Sequence, residues 1–217
     1  MEDLDRQINY WDRVGSTKLF SHPVNLSRLA ELSDLESYIL DFGCGYGRTL
    51  GVLYNQGYRN LVGVDPAPRM VAAARQRFPQ LTFLTIDSPH LPFAEESMDV
   101  ALLFAVLTCV PSDDGQRQIM QEISRVLRPG GLLYISDLWL QQDARNIERY
   151  GRYHAKYGVY GIFELPEGVV LRHQDRSWVE QLTADFVVTT VDEIRVETMN
   201  GHWAEAFQWF GRKGTQA

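Results

Sequence analysis

Short runs of consecutive apolar residues alternate, along most of the chain, with stretches in which apolar positions recur every three or four residues. Residues 38–42, 60–65, 81–86, 98–105 and 132–136 are apolar runs of strand length. Residues 48–55, 68–78 and 114–127 follow the helical period, and the last places Ile119, Met120, Ile123, Val126 and Leu127 on one face. Pro68 suits the first turn of its helix, and Pro129-Gly130-Gly131 is expected to stop the helix before it. Strands this apolar between amphipathic helices predict a doubly wound, mostly parallel α/β sheet covered on both faces.

The two ends read differently. Residues 3–32 carry helical patterning with Tyr10 and Trp11, broken at His22-Pro23. In the last third, residues 142–157 and 177–184 read as helices, and residues 163–172 as a short hairpin around Pro166-Glu167-Gly168. Residues 186–197 and 202–212 read as strands joined at the Asn200-Gly201 turn signal, which predicts an antiparallel C-terminal addition to the sheet. One domain is expected over residues 1–217: an N-terminal helical cap (1–35), a ligand-binding core (36–138), a lid and hairpin (139–175) and a C-terminal helix with strands completing the sheet (176–217).

Charge narrows the partners. The net charge of −7 gives a field that repels polyanions, so nucleic acid is disfavoured. Arg145, Arg149 and Arg152 alternate with Asp143 and Glu148, which reads as a solvated mixed-charge helix. Cys44 and Cys109 lie in apolar surroundings and read as buried free thiols; no Cys/His spacing suggests a metal. The longest apolar stretch, residues 100–110, is about half of a membrane span, and residues 1–10 lack a signal-peptide pattern. The expectation is a cytoplasmic protein without a membrane segment.

The chemistry concentrates in Asp41-Phe42-Gly43-Cys44-Gly45-Tyr46-Gly47, directly after a strand and at the start of a helix. Alternate glycines let the backbone turn sharply and let a ligand approach without meeting a Cβ. The helix behind aims free N–H groups and the positive end of its dipole at that place. Dinucleotide sites use Gly-x-Gly-x-x-Gly, with the extra residue making room for pyrophosphate, so the Gly-x-Gly-x-Gly spacing argues against an NAD-dependent oxidoreductase. Asp65 ends the second strand and Asp87 the third, followed by Ser88. Aspartates also punctuate strand ends simply as turn formers. Three at successive strand ends, together with the glycines, favour a shared ligand.

In these segments, and in Val62-Gly63-Val64-Asp65, Leu91-Pro92-Phe93, Met98-Asp99-Val100 and Arg125-Val126-Leu127-Arg128-Pro129-Gly130-Gly131, the chain resembles the class I S-adenosylmethionine-dependent methyltransferases of the small-molecule type, over residues 37–137. The resemblance implies a Rossmann-like methyltransferase fold, S-adenosylmethionine as cofactor, and methyl transfer to O, N or S of a small-molecule metabolite by in-line displacement. It implies that Asp41, Gly43, Cys44, Gly45 and Gly47 surround the methionine moiety and sulfonium. Asp65 would hold the ribose, Pro66 and Met70 would line the adenine, and Asp87 and Ser88 would read its edge. Phe104, Ala105 and Val106 would face the transferring methyl. The alternative is a non-catalytic sensor or partner subunit that binds S-adenosylmethionine without turnover.

The acceptor is expected above the carboxyl ends of the strands, under two aromatic-rich segments. Tyr10, Trp11 and His22 of the first, Tyr150, Tyr153 and Tyr157 of the second, and Trp203 are the candidate substrate contacts. Tyr150, Tyr153, His154 and Tyr157 share a helical face, which reads as a lid for a flat or cationic substrate or as a helix packed on the sheet. His154 and His202 are the candidate general bases. His173 reads as a surface residue and Cys109 as core. The C-terminal strand is expected at the sheet edge, where it pairs with a second subunit or is blunted by Arg212 and Lys213, giving a monomer or a homodimer.

Overall fold

The computed structural model describes residues 4–214 apart from Pro89; residues 1–3 and 215–217 of the expected domain lie outside the described residues. The helical patterning before residue 33 resolves into α1 (Ile8–Val14), a 3-10 turn (Gly15–Thr17) and α2 (Leu26–Leu32), with His22-Pro23 in the extended piece between them. The Asn25 side chain caps α2 by accepting the Arg28 N–H at 3.1 Å. The chain then alternates β1 (Ile39–Phe42), α3 (Arg48–Asn55), β2 (Leu61–Asp65), α4 (Pro68–Arg77), β3 (Thr82–Thr85), β4 (Met98–Phe104), α5 (Asp113–Val126) and β5 (Leu127–Leu138). It continues through α6 (Ala144–Tyr157), β6 (Ile162–Glu164), β7 (Val170–Arg172), α7 (Arg176–Leu182), β8 (Phe186–Glu197) and β9 (Trp203–Lys213).

Seven strands form one sheet in the order β3-β2-β1-β4-β5-β9-β8, and β6 with β7 forms a separate hairpin. The first five are mutually parallel, while β9 runs antiparallel to both β5 and β8. This is the doubly wound, Rossmann-like arrangement with an antiparallel addition. Strand order reverses between β1 and β4, so the helices following those strands leave on opposite faces and a crevice opens above their carboxyl ends. β1 is buried along its whole length, with Ile39 and Leu40 fully covered, as a central strand requires. Burying one such side chain contributes about 2 kcal/mol. On one face Ile119, Met120 and Ile123 of α5 join Leu40, Leu103 and Ile135; on the other Leu50 and Leu53 of α3 join Ile39 and Leu102.

Two expectations change. Pro129-Gly130-Gly131 does not terminate the helix: α5 ends at Val126, and Leu127 already pairs with Met98, so β5 starts five residues before the predicted Leu132 and carries an irregularity opposite Met98 and Val100. Gly130, at φ 73°, absorbs that distortion. The C-terminal strand is not at the edge. β9 lies between β5 and β8, and Arg212 and Lys213 donate to the carbonyls of Gly130, Leu32 and Leu127. The edge is β8, which exposes Val187, Val188 and Val191.

Candidate active site

The crevice floor is built by the turn after β1. Gly43, Gly45 and Gly47 all have positive φ, of 72°, 54° and 81°. A Cβ at Gly43 would stand 2.7 Å from Val106 Cγ2, and one at Gly47 2.7 Å from Phe83 Cζ, so both positions require glycine for conformation and for space. The Gly43 and Cys44 N–H groups donate to the Val64 carbonyl at 2.8 and 3.0 Å, which ties the turn to β2. Asp65, at the end of β2, accepts the Gly45 N–H at 2.9 Å on one oxygen and the Ala67 N–H at 2.9 Å on the other. One carboxylate therefore fixes the glycine turn and the start of α4 together, with a further lone pair on each oxygen.

Burial sets the charge states. Asp41, at the cleft floor, is 1% exposed and its Oδ2 has no partner. Burial pushes its carboxyl up to about 8, against the pull of Arg48 and with a further push from Asp65. Burial also raises Asp65 to about 6, opposed by the two N–H groups it accepts. Arg48, Tyr46, Met70, Pro66, Ile86 and Ser88 complete the walls.

A second cavity of about 770 Å³ adjoins the cleft beneath α6 and the β6–β7 hairpin, within the size range of small-molecule pockets. Trp11, Phe20, Ala105 and Cys109 line both spaces and form their common wall. Ala105 is held there at φ 56°, a left-handed conformation unusual for a residue with a Cβ, by its N–H bond to the Ser136 carbonyl at 2.8 Å. Ser136 Oγ lies 2.9 Å from Nδ1 of His22, which is buried in the cavity wall. Burial and Arg48 lower His22 to about 3, so it is neutral near pH 7.

The structure brings together Asp41, Gly43, Cys44, Gly45, Asp65, Pro66, Met70, Ser88, Phe104, Ala105 and Val106 around the cleft. Gly47 is outside the lining and is the N-cap residue of α3. Asp87 is exposed and outside the lining, although Ile86 and Ser88 on either side of it line the cleft. Of the candidate substrate contacts, Trp11, His22 and Tyr153 line the second cavity. Tyr10, Tyr150, Tyr157 and Trp203 line neither space. Tyr10 is buried beside Trp11, Tyr150 is fully buried, Tyr157 donates to Glu164, and Trp203 lies 65% exposed near the Arg195 guanidinium. His154 is exposed against Tyr160 and outside both cavities, while His202 is exposed at the rim of the second.

Two readings are corrected and one is extended. His173 is not a surface residue: it is buried and lines the second cavity. Arg145, Arg149 and Arg152 also line that cavity, although Arg145 and Arg152 keep the exposed pairs with Asp143 and Glu148 that a solvated mixed-charge helix predicts. Cys109 is a free thiol at the common wall and not simple core filling. Asp5, Arg6 and Arg48 were missed in the cleft. Arg48 had a signal, since it directly follows the last glycine; Asp5 and Arg6 are brought in by tertiary folding alone.

The strand order and glycine turn define an α/β protein with a nucleotide-type cofactor site, and the comparisons say which. A methyltransferase-domain family matches residues 40–135. The O-methyltransferase rstn1 of Aspergillus nomiae is 29% identical over 186 residues, covering 81% of each chain. The uncharacterized methyltransferase YodH of Bacillus subtilis is 31% identical over 183 residues, covering 76% of each. A solved S-adenosylmethionine-dependent methyltransferase of Methanosarcina mazei shares the fold at TM-score 0.82 and 22% identity, over 87% of this chain and 98% of that one. The chain belongs to the class I S-adenosylmethionine-dependent methyltransferases. Its cleft fits that cofactor, because the unpartnered buried oxygen of Asp41 is matched to a cationic ligand. Among the described residues no helix is long and apolar enough to cross a membrane.

Proposed function

We propose that this enzyme methylates an oxygen, nitrogen or sulfur atom of a small organic acceptor bound in the second cavity, across the wall formed by Trp11, Phe20, Ala105 and Cys109. The observation that carries the reading is that wall: two cavities of different lining share four residues, so a ligand in each would meet there. Asp41 and the glycine turn would hold the methionine moiety, the free lone pairs of Asp65 the ribose hydroxyls, and Pro66 and Met70 the adenine, with Ser88 at its edge. The cofactor supplies an electrophilic methyl on sulfur. The protein's part is then to align the acceptor and exclude water.

The aromatic faces of Trp11, Phe20 and Tyr153 orient a flat acceptor, and α6 with the β6–β7 hairpin serves as its lid. His22, held neutral, positions the acceptor by hydrogen bonding and does not store a proton at neutral pH. His202 at the rim is the remaining candidate base; the placement of His154 does not support that role. A cytoplasmic location fits the free thiols Cys44 and Cys109. The enzyme acts as a monomer or a homodimer, and the exposed valines of β8 are the surface a homodimer would use.

Calorimetric titration with S-adenosylmethionine, S-adenosylhomocysteine and NAD, followed by an acceptor screen read by S-adenosylhomocysteine formation, tests the reading. Binding of both sulfur ligands but not NAD, and acceptor-dependent turnover, are expected. Cofactor binding with no turnover on any acceptor would instead favour a sensor.

A further inference from the structure

Besides the four residues it shares with the cofactor cleft, the second cavity has an unusual set of polar groups. Arg149 lies with its guanidinium carbon 3.4 Å from the Phe163 ring centroid, and its Nε is buried without a partner. Its neighbours are paired: Arg152 with Glu148 at 2.6 Å, and Arg145 with Asp143 at 4.0 Å. Three carboxylates share the lining: Glu164 is paired from outside by Lys156 and Glu167 by Lys18, while Glu197 stands exposed on the side of the β8–β9 turn. No ion pair is found for Arg149 among the described residues.

His173 stands on the same aromatic ring, 5.0 Å from Phe163 centroid to centroid. Its Nδ1 is 2.5 Å from the Tyr150 hydroxyl, and that hydroxyl accepts the Gln141 N–H at 3.2 Å. Tyr150 has one hydroxyl proton, and Nδ1 is the acceptor within reach. This assigns the ring proton of His173 to Nε2, the nitrogen left for a ligand. Thr108 Oγ1, in a side chain 6% exposed that lines the same cavity, is also buried without a partner.

Half-buried Arg149 keeps a hydrogen bond to the Tyr150 side chain but has its Nε unmet, so with His173 and Thr108 it offers donors from a cation, a ring N–H and a hydroxyl, and leaving buried donors unmet is costly. We propose that the acceptor is an organic anion whose carboxylate, or a group of the same geometry, is held by Arg149 and His173 beside Phe163, with its nucleophilic atom towards Trp11 and Ala105. The anionic group is a recognition handle and not the methylated atom. One open acceptor, Asn146 Oδ1, suits a donor elsewhere on the same molecule. The inference rests on the methyltransferase reading and narrows it from any flat acceptor to an acidic one.

The test compares 2-naphthoate with its neutral isostere 2-naphthamide and with 2-naphthylmethylammonium, by calorimetry on protein saturated with S-adenosylhomocysteine. Naphthoate is expected to bind about tenfold or more tightly than either. Arg149→Gln should remove the preference while S-adenosylhomocysteine affinity stays unchanged, and Arg149→Lys should restore part of it. Equal binding of the three probes, no binding of naphthoate, or an undiminished preference in Arg149→Gln would overturn the assignment. Failure of S-adenosylhomocysteine to bind in the same samples would overturn the methyltransferase reading itself, so the two failures are told apart.

Discussion

The cofactor cleft and the second cavity share a wall but differ in the polar side chains that line them. The cleft is floored by Asp41 and Asp65, buried carboxylates raised to about 8 and about 6. The second cavity is walled by Arg145, Arg149 and Arg152, by Glu164, Glu167 and Glu197, and by His22 and His173, which burial keeps neutral near pH 7. The difference lies in where the groups come from. The cleft carboxylates sit at ends of parallel strands, where backbone geometry fixes them. The basic groups come from α6, the hairpin and the segment before α2, which tertiary packing brings over the sheet. On the reading proposed above, a protein with net charge −7 would place the site for its cationic cofactor on the scaffold and the site for an anionic acceptor on its additions.

Removing the geometry of the cleft should have the largest effect. Gly43→Val would place a branched side chain at φ 72° and against Val106, and S-adenosylhomocysteine binding measured by calorimetry should fall by about 3 kcal/mol or more. Retained affinity would show that the turn is not the cofactor's seat. Next, Asp65→Ala should weaken that binding by about 1–3 kcal/mol while leaving naphthoate binding intact. Equal loss at both sites would mean that the two regions are not separable.

A pH series sharpens the electrostatic side. Asp41 in the folded, ligand-free protein keeps a proton that the unfolded chain gives up above 3.8, so its contribution to stability declines as pH rises from there through about 8. Denaturant titrations of Asp41→Asn should show a shallower decline than wild type over that window, and S-adenosylmethionine should bind wild type more tightly at pH 9 than at pH 6 (about tenfold, from the usual worth of a charge-assisted bond). Parallel stability curves would remove Asp41 as the source. The smallest effect is expected for Tyr150→Phe, which deletes the proton donor to His173 Nδ1 and should cost naphthoate about 1 kcal/mol with no change at the cleft. An unchanged naphthoate affinity would separate His173 from the anion site.

The scaffold half of this comparison was legible from residue patterns. The five parallel strands, the glycine turn and Asp41 and Asp65 follow from local periodicity and spacing, because each acts through its own strand end. The additions were not. Tyr150 and Tyr153 share a helical face by spacing, yet Tyr150 is completely buried while Tyr153 is partly buried on the cavity wall. Charge alternation around Arg149 gave no hint that Phe163, 14 positions onward, would take up its guanidinium. His173 looked exposed beside Arg172 because nothing local signals that Tyr150 reaches it. The long β5 was missed because Pro129-Gly130-Gly131 is a helix stop and also a bend in a strand that neighbouring Met98 has already engaged.

With the acceptor in the second cavity as proposed, the residues common to both cavities would link the two binding events thermodynamically. Trp11 and Phe20, whose rings lie 6.2 Å apart, would each touch both ligands, and the segment carrying them is anchored by Gln7, which donates to the Val170 carbonyl at 2.8 Å and accepts the Val170 N–H at 2.7 Å. Whichever ligand first fixes those rings spares the other that ordering cost, so each should raise the affinity of the other by one and the same factor. The aromatic wall between the cavities would in that sense be a site of positive cooperativity, favouring a filled pair over either molecule bound alone.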